Sequence, residues 1–433
     1  MNQLPEAYIE RMEKMLGPSD APAFFACYGQ PPRRGLRVNT LRLSPGAFAA
    51  RSPFPLAPTG ILPEGFLLTE APPAIGSHPY HLAGMFYLQE PSAMAPIAAL
   101  PVRPGMRVLD LCAAPGGKSG GIAARLEGQG LLVANEVAPG RAKTLRYTLE
   151  RLGVTNAVVT CARPEVLCEA LRGYFDAVLV DAPCSGEGMF RKDPGAAAAW
   201  SEAHVRACAQ RQRAILESAA QAVAEGGALV YSTCTFSPEE NEGVAEAFAA
   251  AHPAFTLEYA RRFYPHTCPG EGHFVALLQR TGSLQGHGNG AAALSLPPCK
   301  EAAFRAFCQE ALEAPPEGEA VRLGDGRVLV LPGPLPKGLE RARLLTAGVY
   351  AGDLAGNRFT PSHALAMAAG VRWRRALSPG GPDMGAYLRG QAIPAPGLSK
   401  GWCRVEVEGY PLGLGKAVEG VLKNHLPKGL RLP

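Results

Sequence analysis

The sequence predicts an α/β protein whose core is a doubly wound parallel sheet, preceded by a small α+β domain and followed by a strand-rich one. Three observations carry this. Between residues 91 and 280, short apolar runs alternate with helical patterns, the βαβ rhythm of a parallel sheet. The run Val108 to Leu111 passes directly into a glycine-rich turn, Cys112-Ala113-Ala114-Pro115-Gly116-Gly117-Lys118. Two cysteines fifty residues apart, Cys184 and Cys234, each follow closely on an apolar β-type run. In a doubly wound sheet the turn and both cysteines fall at strand carboxyl ends, where such folds place their chemistry.

Residues 1–90 open with a charged helix over about Pro5–Leu16, with Ile9, Met12 and Leu16 in phase, and Ala23–Tyr28 extends the helical character. A strand-like Leu36–Leu41 follows, then a proline-rich stretch. In the core, residues 91–280, strands are expected at Arg107–Leu111, Leu131–Asn135, Ala157–Thr160, Ala177–Val180 and Ala228–Ser232. The clearest helix runs from about His204 to Ala224, with Gly226-Gly227 as its C-cap. Phe274–Leu278 reads as a late edge strand. Residues 281–299 are a linker, since Thr281–Gly290 holds four glycines and no charge. Residues 300–433 include the strand runs Arg327–Leu331 and Trp402–Val407.

A chain of 433 residues exceeds one ordinary core, so two or three domains are expected. Charged residues near the start leave no apolar leader segment, and no uncharged apolar run reaches the eighteen or so residues of a membrane span. The eleven cysteines are odd in number and form no C-x-x-C pair, against a disulfide framework or a thiolate metal site, and in keeping with a reducing cytoplasm. Residues 321–433 carry 16 Lys or Arg against 7 Asp or Glu, a local +9 in a chain of net +5, so the remainder is about −4. A basic end on a near-neutral body points to a polyanionic partner.

Small residues in the turn 112–118 let the backbone approach a ligand, and the start of the next helix favours electronegative groups. Glu136 ends the following strand, 19 residues after Gly117, where an acid can accept both hydroxyls of a ribose. The dinucleotide spacing G-x-G-x-x-G is absent, and position 112 of the would-be phosphate loop is Cys. A nucleoside cofactor without phosphates, S-adenosyl-L-methionine, fits these residues.

Two thiols on the same rim suit methylation of a pyrimidine ring carbon. Cytosine carbon 5 is a poor nucleophile until a thiolate adds to carbon 6 and turns the ring into an enamine. The reaction also needs an acid or donor near N3 and the exocyclic amine, and a base for the carbon 5 proton. Asp181 beside Cys184 is placed for the acid role, tuned by Lys118. The second thiol serves as base or assists collapse of the adduct. Cys27, Cys161, Cys168, Cys208, Cys299, Cys308 and Cys403 read as small structural hydrophobes. Chemistry alone leaves open which of Cys184 and Cys234 attacks.

Asp110–Lys118, Asp181-Ala182-Pro183-Cys184-Ser185-Gly186 and Ser232-Thr233-Cys234-Thr235 resemble the motifs of the Nop/Sun family of RNA cytosine-5 methyltransferases. Arg37-Val38-Asn39-Thr40 and Tyr87–Ala93 resemble that family's entry segments. Gly188–Pro194 and the tail Gly409–Gly413 through Lys423–Arg431 are similar to its bacterial RsmF type, which acts on 16S ribosomal RNA. The resemblance covers most of the chain. It implies a Rossmann-like S-adenosylmethionine-dependent methyltransferase core, a small N-terminal α+β RNA-binding domain and a PUA-like C-terminal RNA-binding domain. It implies that Cys234 attacks carbon 6 while Cys184 assists release, with cofactor contacts at Cys112–Lys118, Glu136, Asp181 and Arg141. Where the family commonly has an acid for the adenine amine, this chain has Arg163, whose guanidinium cannot accept that bond; its backbone, or stacking by its side chain, would have to serve.

Arg191 and Lys192, after the Pro-Cys loop, are candidates for a phosphate next to the target base. Trp373 among Arg372, Arg374 and Arg375 is aromatic-basic interleaving of a kind that grips RNA. The expectation is therefore a cytoplasmic, monomeric enzyme acting on carbon 5 of cytosine near the decoding region of 16S ribosomal RNA, free or in the small subunit. The alternatives are a methyltransferase of other RNA or DNA cytosines, and a non-catalytic RNA-binding assembly factor.

Overall fold

The computed structural model describes residues 4–70, 74–282, 292–398 and 400–433, so part of the expected linker, 283–291, lies outside the described residues. The expected doubly wound core is present. Its strands are β1 (Arg107–Asp110), β2 (Leu131–Asn135), β3 (Ala157–Cys161), β4 (Phe175–Asp181), β5 (Val223–Thr233), β6 (Phe255–Phe263), β7 (His273–Arg280) and β8 (Arg343–Ala347). Helices α1 (Gly117–Leu126), α2 (Pro139–Leu152), α3 (Pro164–Ala170), α4 (Glu202–Ala222) and α5 (Glu242–Ala251) follow β1, β2, β3, β4 and β5. The sheet order is β6-β7-β5-β4-β1-β2-β3-β8. Strands β1 to β5 pair in parallel, while β7 runs antiparallel to both β5 and β6. The winding reverses between β1 and β4, so a crevice opens at their carboxyl ends.

Two expectations need correction. Phe274–Leu278 is not an edge: β7 is covered by β5 on one side and β6 on the other, and its first six residues are nearly all buried. Gly226-Gly227 does not cap α4. The helix ends at Ala222, and the glycines lie within β5, where Gly226 turns the chain with φ +71°. The far edge of the sheet is β8, a strand the sequence reading did not place, supplied by residues well beyond the linker and paired antiparallel to β3. Local periodicity does not encode such non-local pairing.

The N-terminal helix spans Glu6–Ala26, kinked at Gly17 (φ +71°) ahead of Pro18. Its buried Tyr8, Met12 and Phe24 pack on Phe190, Trp200 and Phe236, residues of the segments that follow the two cysteines. Strand Gly35–Val38 sits inside a four-stranded antiparallel sheet beside Phe86–Leu88. That small sheet shares a hydrophobic core with the C-terminal unit, where Leu36, Val38 and Phe86 join Leu377, Tyr387 and Val405. A five-stranded sheet containing Gly401–Val407 and Tyr410–Val418 dominates that unit. Among the described residues, no helix is long and apolar enough to cross a membrane.

Candidate active site

Parallel pairing of β4 with β5 sets Asp181 opposite Ser232, which brings the two loops that follow to one place. Cys184 Sγ and Cys234 Sγ lie 3.3 Å apart. Both thiols are half-buried on the wall of a 680 Å³ cavity. The contact with Cys234 and burial together hold the Cys184 thiol well above the ordinary cysteine range.

Two buried carboxylates that the sequence reading did not single out tie these loops together. Glu187 accepts from Phe236 N (2.7 Å), Ser237 Oγ (2.5 Å) and Trp200 Nε1 (2.9 Å). Glu240 accepts from Ser185 N (3.0 Å) and Gln212 Nε2 (2.8 Å). Ser185 Oγ and Thr235 Oγ1 stand 2.8 Å apart, and Gly188 N donates to Cys234 O. The only signal in the sequence is an acid within six residues of each cysteine motif.

Lys118, on the first turn of α1, reaches across to Asp181: Nζ to Oδ2 is 2.7 Å. The other oxygen accepts from Ser232 Oγ at 2.8 Å and lies 3.5 Å from Nε2 of the buried His273 on β7. Burial alone would raise the Asp181 carboxyl, but Lys118 and His273 outweigh it and hold it below the usual carboxylate range. Burial opposes the charge on Lys118, yet Asp181 wins and raises it. Burial keeps His273 below the usual histidine range. Asp181, read from the sequence as an acid, accepts in this structure from Lys118 and Ser232, with Lys118 the donor of the pair. His273 was missed because a histidine in an apolar strand has no spacing signature.

The glycine-rich turn is held from three sides. Gly116 has φ +107°, and Gly117 meets Tyr87 so closely that an added Cβ would fall 2.7 Å from the ring. Arg37, from the N-terminal sheet, donates Nη1 to Gly117 O at 2.7 Å. Arg141 donates Nη2 to Ala114 O at 2.9 Å and pairs with Glu136 at 3.4 Å. Glu136 is buried at the end of β2, its Oε1 accepting from Ala138 N at 3.0 Å. Burial raises the Cys112 thiol far from the thiolate range, so it is a wall and not a nucleophile.

Cys112, Ala114, Glu136, Arg141, Arg163, Asp181, Cys184 and Cys234 line the 680 Å³ cavity. Ala113, Pro115, Gly117 and Lys118 line an adjoining cavity of 370 Å³, which shares Cys112, Ala114 and Asp181 with the first. Gly116 lines neither and instead faces Thr148 and Leu145 on α2. The Arg163 side chain is exposed and turned to Glu165 at 2.5 Å, at the cavity's edge. Arg191 is not a free phosphate ligand: its buried guanidinium pairs with Glu271 at 3.1 Å and donates to the carbonyls of Gln30 and Pro31. Around Trp373 the charges are largely spent, with Arg374 paired to Glu313 and Glu406 and Arg375 to Asp383.

Residues 97–279 match the model of 16S rRNA methyltransferase RsmB/F, and residues 4–91 that of the N-terminal domain of 16S rRNA methyltransferase RsmF. Residues 306–368 match the RsmF first C-terminal domain, and 374–432 the methyltransferase RsmF PUA domain. Ribosomal RNA small subunit methyltransferase F of Vibrio vulnificus (strain YJ016) is 33% identical over 459 residues, covering 99% of this chain and 97% of its own.

The chain belongs to the ribosomal RNA small subunit methyltransferase F family. The Citrobacter koseri member is likewise 33% identical, over 98% of this chain and 96% of its own. Among solved structures, a methyltransferase homolog protein from Pyrococcus horikoshii superposes with a TM-score of 0.56 at 30% identity, covering 64% of this chain and all of that one. Membership accounts for the Rossmann-like core, the N-terminal domain and the PUA-like C-terminal domain in one chain.

The residues also suit S-adenosyl-L-methionine, the methyl donor of such enzymes. Among the described residues, Asp110 Oδ1 is buried without a hydrogen-bond partner, an acceptor waiting for a donor such as an amino group. Glu136 offers carboxylate oxygens at the neighbouring strand end, and Leu111, Val137, Pro164 and Ile215 supply apolar walls for a nucleoside.

Proposed function

We propose that the chain methylates carbon 5 of a cytosine in 16S ribosomal RNA, near the decoding region, through a covalent cysteine–carbon 6 adduct. The observation that carries this reading is the 3.3 Å approach of Cys184 and Cys234 beside the cofactor turn. An exocyclic amine needs no thiol to be methylated; a pyrimidine carbon does.

Asp110, the turn 112–118 and Glu136 would hold S-adenosyl-L-methionine, which would supply an electrophilic methyl group. Cys234, as thiolate, adds to carbon 6, and the ring's negative charge moves toward N3 and O2. Lys118 donates to that charge, while Asp181 accepts from the exocyclic amine and selects cytosine over uracil. Once carbon 5 carries both hydrogen and methyl, Cys184 gives its proton to the departing Cys234 sulfur. The Cys184 thiolate so formed takes the carbon 5 proton, which restores the aromatic ring. Assigning attack to Cys234 follows the Nop/Sun resemblance. Arg163 leaves the adenine amine to backbone carbonyls at the end of β3.

The test is to incubate the protein with tritiated donor and small subunits or free 16S RNA, then digest to nucleosides. Label in 5-methylcytidine is expected. Label in N4-methylcytidine, or in DNA only, overturns the proposal.

A further inference from the structure

Four cavities share lining residues in series, from the N-terminal domain to the cofactor side of the sheet. The outermost, of 810 Å³, is a groove between Arg33 and Arg34, the strand end Leu67–Thr69, and Lys192. Arg33, Arg34 and Lys192 also line a 240 Å³ passage whose inner wall is Leu88, Gln89 and Glu90. Those three inner residues line the 370 Å³ cavity that holds Lys118 and Asp181. That cavity in turn meets the cofactor cavity at Cys112, Ala114 and Asp181.

Among the described residues the outer cations form no ion pair. The side chains of Arg34 and Lys192 make no hydrogen bond either, and that of Arg33 donates only to Cys268 O at 3.3 Å. The nearby acids are committed elsewhere. Glu90 accepts from Ser92 N, Ala93 N, Ser92 Oγ and Glu271 N, and Glu271 serves Arg191 and Arg33 N. Burial, with Arg191 and Arg34 adding to it, lowers the Lys192 ammonium despite Glu90 and Glu271. Uncompensated cations on an open groove attract an anion, and guanidinium pairs match phosphodiester oxygens.

We propose that this groove and passage are the entry path of the substrate strand: phosphates flanking the target nucleotide rest on Arg33, Arg34 and Lys192, and the extruded base passes to Lys118 and Asp181. The inference rests on the RNA-methylating reading and adds where the strand lies. It also gives the small N-terminal domain a specific task, since two of the three cations are its own.

The test compares the full-length chain with the double variant Arg34→Ser/Lys192→Ser, whose lost side chains bond to nothing among the described residues. For single strands each phosphate contact contributes about 0.7 to the salt dependence of log K, so the variant's slope should fall by about 1.4. At physiological salt its RNA affinity and kcat/KM should fall about tenfold, with cofactor affinity unchanged. As a second readout, 4-thiouridine placed beside the target cytosine should crosslink the wild-type chain within residues 31–34 or 191–192. An unchanged salt slope, or a crosslink confined to the C-terminal unit, overturns the groove. If cofactor affinity shows the variant misfolded, the wild-type crosslink decides. Should the wild type methylate no ribosomal cytosine, the functional reading fails; methylation by both proteins with equal RNA dependence sinks the groove alone.

Discussion

Lys118 Nζ sits 2.7 Å from Asp181 Oδ2, so a salt bridge joins the first turn after the glycine-rich loop to the strand end below the Pro-Cys loop. The pair spans the boundary between the two inner cavities and sets the charge at the place assigned to the pyrimidine's polar edge. Asp181 keeps its carboxylate only because Lys118 and His273 overcome the effect of burial.

Lys118→Met removes the main opposing charge, so burial then pushes the Asp181 carboxyl upward. The sign follows: in the wild type the depressed carboxyl stays ionised as pH falls through the usual carboxylate range, whereas the variant protonates at higher pH. Single-turnover methyl transfer should drop by about 10²-fold or more and gain an acid limb absent from the wild-type pH profile. An unshifted profile would show that the pair does not set the charge of Asp181.

Cys234→Ala should lose turnover and retain cofactor affinity. Cys184→Ala should accumulate a covalent protein–RNA species on denaturing gels in the presence of donor, because carbon 6 is captured and not released. The adduct appearing with Cys234→Ala instead would reverse the assignment.

Glu187→Gln exchanges one carboxylate oxygen for a donor facing Phe236 N or the Ser237 and Trp200 groups. Losing hydrogen bonds to a charged group should cost about 1.5–3 kcal/mol, read as a lower denaturation midpoint. Because the loops of both cysteines hang on this carboxylate, kcat should fall while cofactor affinity holds.

Gly117→Ala places a methyl group 2.7 Å from the Tyr87 ring. Overpacking of this kind costs about 1–3 kcal/mol, so cofactor affinity by calorimetry should weaken roughly 5- to 150-fold. Combining it with Tyr87→Leu should restore part of the loss; no rescue would place the effect elsewhere.

Asp110 provides a pH signature of the free protein. Burial raises its carboxyl to about 7, against an opposing bond from Ser119 Oγ at 2.6 Å. Between about pH 4 and 7 the folded chain holds a proton that the unfolded chain has released. Stability therefore falls as pH rises through that window, by up to about 4 kcal/mol, and levels off above it. Asp110→Asn should flatten this dependence in urea titrations.

The sequence by itself determined the elements that local chemistry specifies. Periodic apolar runs marked β1 to β5, the small residues of 112–118 marked the cofactor turn, and Cys184 and Cys234 were legible because each follows a strand closely. Glu136 could be read from its distance to the turn. What the tertiary structure alone decided are relations between distant segments. Parallel registry of β4 with β5 sets the two sulfurs 3.3 Å apart. An antiparallel β7 delivers His273 to Asp181, and a C-terminal strand closes the sheet at β3. Arg191 looked like a phosphate ligand until folding buried it against Glu271, while Arg33 and Arg34, with no motif around them, were left on an open groove. Whether a charge is neutralised inside or left facing solvent depends on partners far along the chain, as between Arg191 and Glu271, 80 residues apart, and no local pattern carries that information.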